Sequence, residues 1–117
     1  MIRISIALGA LVVALAAIAP ATAETEKLVG TVGPGYTISL KYDGKKVTKL
    51  DPGKYLVRVT DKGSFHSFHL IGPGVNKVIT SVGFTGTKSV TVTLKKGTYT
   101  YRCDPHRTQM HGSFTVS

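Results

Sequence analysis

Within Tyr101-Arg102-Cys103-Asp104-Pro105-His106-Arg107-Thr108-Gln109-Met110 the chain brings a thiol, an imidazole and a thioether into one short stretch. Cys103 is the only cysteine, so its sulfur cannot enter an intramolecular disulfide. Soft sulfur donors combined with imidazole suit copper, and two His, one Cys and a weak axial Met form the blue-copper electron-transfer arrangement. Zinc also accepts Cys and His, but a thioether is a poor zinc ligand. The arrangement needs a second histidine, and Phe65-His66-Ser67-Phe68-His69 can supply it.

Strand parity selects between the two candidates there. His66, Phe68 and Leu70 share a face, while Ser67, His69 and Ile71 take the other, so an apolar Phe68 and Leu70 turn His66 inward. His69 then points outward or into a layer of side chains. Tyr99, Tyr101 and Cys103 likewise share a face, which directs Cys103 inward from the end of a core-facing strand. Pro105 restricts the loop between Cys103 and His106. Met110 is the only methionine besides Met1. His111, next to it, faces away when Met110 faces a metal.

The elements that must position these residues read as strands. Tyr36 to Lys41, Tyr55 to Thr60 and Ser89 to Leu94 alternate apolar and polar residues. Leu28 to Val32, Val47 to Leu50, His66 to Ile71, Thr98 to Arg102 and Ser113 to Val116 are further candidates. Gly33-Pro34-Gly35, Asp43-Gly44, Asp51-Pro52-Gly53, Gly72-Pro73-Gly74 and Lys95-Lys96-Gly97 mark the turns. Short strands at regular spacing indicate an all-β sandwich or barrel in a single domain, without a long helix.

Residues 1–23 are expected to be a signal peptide. A positive Arg3, an apolar run from Ile4 to Ala19 and the triplet Ala21-Thr22-Ala23 fit secretion better than an anchor, since a span needs roughly 20 apolar residues. Export of residues 24–117 to the periplasm or the extracellular space follows, with no membrane insertion after cleavage. In such a compartment an unpaired thiol is a liability that coordination to a metal removes.

Fifteen Lys and Arg against six Asp and Glu give a formal net charge of +9. The basic residues are scattered and no nucleic-acid motif accompanies them, so nucleic acid is excluded as a partner. The charge instead suits steering towards an acidic partner.

Residues 65–71 and 98–116 resemble the small bacterial cupredoxins of the plastocyanin, amicyanin and pseudoazurin group. Tyr101-x-Cys103-x-Pro105-His106, Met110-x-Gly112 and the strand Phe114-Thr115-Val116 are similar to that family's copper loop. The His-to-Met spacing falls between those of plastocyanins and amicyanins, and Ser67 stands where the family often has Asn. The resemblance implies a Greek-key sandwich of eight or so strands holding one type 1 copper through His66, Cys103, His106 and Met110. It also implies a one-electron carrier that docks a redox protein around the exposed His106, with Arg107 nearby; nothing in the sequence suggests more than a monomer, and the chain is not expected to be an enzyme. Ser67 would tie the two ligand segments together through Asp104. A copper-handling protein for storage, delivery or resistance would use the same ligands, but such proteins carry Met or His clusters that are missing here. Copper enzymes need additional His ligands, and only His69 and His111 are left over.

Overall fold

The computed structural model describes residues 25–117; the expected signal peptide lies outside the described residues. Ten strands follow in order: β1 (Glu26–Val32), β2 (Ile38–Tyr42), β3 (Lys45–Lys46), β4 (Lys49–Leu50), β5 (Gly53–Asp61), β6 (Phe68–Gly72), β7 (Val75–Thr80), β8 (Gly86–Leu94), β9 (Gly97–Arg102) and β10 (His111–Val116). One sheet has the order β3-β2-β1-β5-β8 and the other β4-β10-β9-β6-β7. Most ladders are antiparallel; β1 runs parallel to β5 and β4 parallel to β10. The only helix among the described residues is a 3-10 turn at Asp104–His106. No described helix is long and apolar enough to cross a membrane.

The two sheets bury their inward faces against each other. Leu28, Leu40, Val57 and Val59 from one meet Phe68, Leu70, Tyr99, Tyr101 and Phe114 from the other. Alternation predicts these positions because successive side chains of a strand leave opposite faces. The aromatic rings form an ordered column: Phe68 stacks on Tyr101 with centroids 5.6 Å apart, and Tyr99 on Phe114 at 5.4 Å.

Several expected elements shift. Tyr36 and Thr37 precede β2, Val47 precedes β4, and His66 and Ser67 lie in the loop before β6. β7 has no counterpart among the expected strands. Its burial runs buried, three exposed, then two buried, because the register slips between Phe68 and His69 and breaks the alternation on which strand recognition relies.

Glycine opposite tyrosine fixes the spacing of the second sheet. Gly72 sits in register with Tyr99 by extension of the β6–β9 ladder, and Gly112 pairs with Tyr101. A Cβ at Gly112 would collide with the Tyr101 ring, and one at Gly72 with the Tyr99 ring. Tyr99 in turn pins two turns, its hydroxyl donating to the Pro73 carbonyl (2.6 Å) and accepting from the Lys95 amide (2.9 Å). Gly112→Ala overpacks this column and is expected to cost about 2 kcal/mol. A circular-dichroism melt should show it as a fall of roughly 10 °C; an unchanged midpoint would mean that Tyr101 has room to move.

Candidate metal centre

Two chain segments meet at one end of the sandwich: the loop from Lys62 to Ser67 and the loop from Cys103 to Met110. The first enters from β5, crosses between sheets and turns on a His66 N–H bond to the Gly63 carbonyl (3.2 Å). The second is closed at its base, because the Cys103 amide donates to the Met110 carbonyl (3.0 Å). Inside it the His106 amide bonds the Cys103 carbonyl (3.1 Å) and the Met110 amide bonds the His106 carbonyl (2.8 Å). Eight residues are thereby wound into a tight loop, with Pro105 inside the single 3-10 turn.

His66, Cys103 and His106 each turn a donor atom to a common point, and the donors lie within 4.8 Å of one another. Cys103 Sγ stands 3.8 Å from His66 Nδ1 and 3.5 Å from His106 Nδ1. Metal–sulfur and metal–nitrogen bonds of about 2.3 and 2.0 Å meeting at a trigonal angle would separate their donors by about 3.7 Å. The observed pair of distances brackets that value. His66 and Cys103 are fully buried, while His106 is partly exposed. The His66 ring has no hydrogen-bond partner at Nε2. Its Nδ1 has only the sulfur for company, so a buried imidazole lacks the partners such groups normally have. Two imidazoles and a thiol converging at these separations are a donor set for a soft metal, and the residues present therefore fit one. Two glycines let the main chain close on this ring: a Cβ at Gly63 would come within 2.9 Å of His66 Cδ2, and one at Gly33 within 3.5 Å.

Met110 is also fully buried and is bonded through its main chain to both Cys103 and His106. His111 is exposed and its Nδ1 lies 2.8 Å from the Arg107 carbonyl; it is not among the three described residues whose donor atoms converge. Ser67 fulfils its expected link: the Asp104 amide donates to Ser67 Oγ (3.0 Å). The Ser67 amide adds a bond that was not foreseen, donating to Cys103 Sγ at 3.3 Å. A donor on the sulfur would orient it and tune any metal bound to it.

Two exposed aromatic residues complete the site and were not expected from the sequence. Tyr36 sets its edge against His106 (centroids 4.9 Å) and His66 (5.8 Å), and Phe65 packs on His66 at 4.3 Å. They are 55% and 54% exposed, so they cover the imidazoles while facing solvent. Tyr36 heads an expected alternating run but precedes β2, and Phe65 lies in the loop before β6, so only their closeness to turns and to His66 in the sequence could have marked them.

The basic residues are not gathered here. Lys41, Lys45 and Lys46 are paired in the β2–β3 hairpin, Lys49 pairs with Thr115, and Lys95 and Lys96 form the β8–β9 turn. Those positions are at the end of the sandwich where β1 begins, whereas Val32 at the other end of β1 leads to Gly33 beside His66. Arg107 and Lys62 are the exposed basic residues adjoining the ligand loops.

Asp104 carries the electrostatics of the loop. Burial pushes its carboxyl up, but hydrogen bonds from His69 and Arg102, together with their charges, outweigh burial and hold it below the usual carboxylate range. A carboxyl lowered in the folded state stabilises above its unfolded value, near 4, and loses that contribution as pH falls further. Chemical denaturation at pH 7 and pH 3 should therefore show a larger loss for the native chain than for Asp104→Asn; parallel losses would exclude the carboxylate as the cause.

A family model described as copper binding proteins, plastocyanin/azurin family, matches residues 16–117. Among solved structures, the copper protein rusticyanin from Thiobacillus ferrooxidans is 28% identical, with 82% of this chain and 79% of that chain covered and a TM-score of 0.56. Auracyanin A, a "blue" copper protein from the green thermophilic photosynthetic bacterium Chloroflexus aurantiacus, shares the fold at 16% identity, with 80% and 100% covered and a TM-score of 0.58. No curated protein matches the chain.

Proposed function

The chain belongs to the plastocyanin/azurin family of copper-binding proteins, and from that premise we propose that it is an exported carrier of single electrons whose one type 1 copper is held by His66, Cys103, His106 and Met110. The convergence of His66 Nδ1, Cys103 Sγ and His106 Nδ1 carries this reading. When bound, copper supplies the one-electron Cu(I)/Cu(II) couple.

The chain's own residues supply the rest. Cys103 is the strong donor, and the Ser67 amide holds its sulfur from the opposite loop. His66 is buried beneath Phe65 and excludes water from the inner side. Met110 would supply a weak thioether donor, and its main-chain bond to Cys103 couples the two sulfur residues. A ligand set fastened by main-chain hydrogen bonds at both ends of one loop moves little, which keeps reorganisation small.

His106 is the ligand a partner can touch. Phe65 and Tyr36 beside it give an apolar rim, suited to the small, short-lived contacts of redox encounters. A redox protein is the proposed partner and the chain acts as a monomer. Steering towards an acidic docking surface rests on Arg107 and Lys62, since the larger group of lysines stands at the far end. Export to the periplasm or extracellular space is supported by the apolar run and Ala-x-Ala triplet before Glu24. The mass of the exported product is expected to start at Glu24; retention of Met1 would refute cleavage.

Burial of His66, Cys103 and Met110 favours a carrier over a copper-delivery protein, which needs an accessible and labile metal. Copper(II) added to residues 24–117 is expected to give an intense thiolate-to-copper absorption that bleaches with reductant and vanishes in Cys103→Ala. Met110→Leu should keep the band and raise the potential, because losing an electron-donating thioether disfavours the oxidised ion. A colourless protein would overturn the carrier reading.

A further inference from the structure

One polar network beside the site has no part in the ligand set. His69 Nδ1 lies 3.0 and 2.9 Å from the two carboxylate oxygens of Asp104, 35 residues away along the chain. Its Nε2 stands 2.6 Å from Asn76 Oδ1 on β7. Arg102 Nε also donates to Asp104 Oδ1 at 2.9 Å.

From these contacts we infer that His69 is a positioning residue for the copper loop: it fastens Asp104, the residue immediately after Cys103, to the β6–β7 ladder and so fixes the direction of the sulfur. Arg102 cannot do this. It lies two residues from Asp104 on the same chain segment, so its bond is local and anchors the loop to nothing else. His69 belongs to the neighbouring strand β6 and is secured at its far side by β7.

Ser67 and His69 are two residues apart and share a side of the chain. Ser67 Oγ accepts from the Asp104 amide while His69 holds its carboxylate, so one dipeptide step at the start of β6, from the loop residue Ser67 to His69, grips both the main chain and the side chain of Asp104. His66 and Phe68, of the opposite parity, are buried in the site and the core. Alternation along residues 66–69 lets the segment do both, and the register slip beside it falls on β7. One residue of β7, Ile79, is skipped there, and such a bulge re-aims the side chains beside it. His69 is then opposite Arg102 and within reach of Asn76 as well as Asp104.

Two arms test this, the second resting on the ligand reading above and the first independent of it. In the first, amide hydrogen exchange is followed by nuclear magnetic resonance in the metal-free protein. His69→Ala is expected to speed exchange at Asp104 and through residues 106–110 about tenfold while the strand amides keep their rates. His69→Asn, which can still donate to Asp104, should recover most of the protection. Asn76→Ala, an exposed position, keeps the test decidable where His69→Ala does not fold, with an expected increase of about threefold. Unchanged loop exchange, or a uniform rise over the whole molecule, would overturn the proposal.

In the second arm, copper-loaded His69→Ala should retain its thiolate band but show an altered copper hyperfine splitting by electron paramagnetic resonance and slower electron self-exchange. A native spectrum and native rate with only a lowered melting temperature would reduce His69 to a structural role. If the native chain gives no thiolate band at all, the ligand assignment fails, and the exchange arm alone decides the role of His69.

Discussion

The hydrogen bond from the Cys103 amide to the Met110 carbonyl is the constraint on which the site depends. It converts the end of β9 and the start of β10 into the neck of a closed loop, so that an interval of chain long enough to wander is held to one path. Within that neck the remaining main-chain bonds follow, and His106 has little choice but to face the sulfur it follows by three residues. The second clamp comes from outside the loop, where Ser67 donates its amide to the sulfur and its hydroxyl receives the Asp104 amide. Two loops far apart in sequence are thereby locked at the same two residues, and His66 enters the site as the immediate neighbour of the clamp.

The sandwich supports this end of the molecule by stacking rings in a column that runs toward Cys103. Phe68 lies against Tyr101, and Tyr101 leads directly to Arg102 and Cys103. Phe68 also sits close above Gly30 on the opposing sheet, where a Cβ would come within 3.0 Å of its ring. A chain this small, with one cysteine and so no intramolecular disulfide, has a limited core to draw on. Large aromatic side chains packed over glycines give it the most buried area per position and at the same time fix the register of β9 against both neighbours.

Much of this was legible in the sequence. Alternation gave the inward faces of β5, β8 and β9, and donor chemistry at Cys103, His106 and Met110 pointed to a soft metal. Parity also put His66 inside, although His66 lies in a loop. The result held because the turn at Gly63 delivers His66 with the same facing that a strand extended back from Phe68 would have given it. β7 escaped because its bulge spoils the period of two. Tyr36 and Phe65 escaped because exposure beside a site has no sequence pattern. The spread of lysines along the chain likewise concealed their concentration at one end, which only the pairing of Lys41 with Lys46 and of Lys49 with Thr115 makes visible.

Rigidity of this kind has a thermodynamic consequence. A loop free to relax would let a buried thiol and imidazole find other partners. Here the clamps forbid it, and His66 Nε2, Asp61 Oδ2 and Thr80 Oγ1 are buried without hydrogen bonds among the described residues. Asp61 closes β5 just before the His66 loop and Thr80 closes β7 opposite Phe68, so these groups border the segment that carries the first histidine. A metal that binds the folded state alone would stabilise it by mass action, whatever the stability of the free chain. The same clamps that hold the donors together would therefore let an ion bound by them stabilise the folded chain.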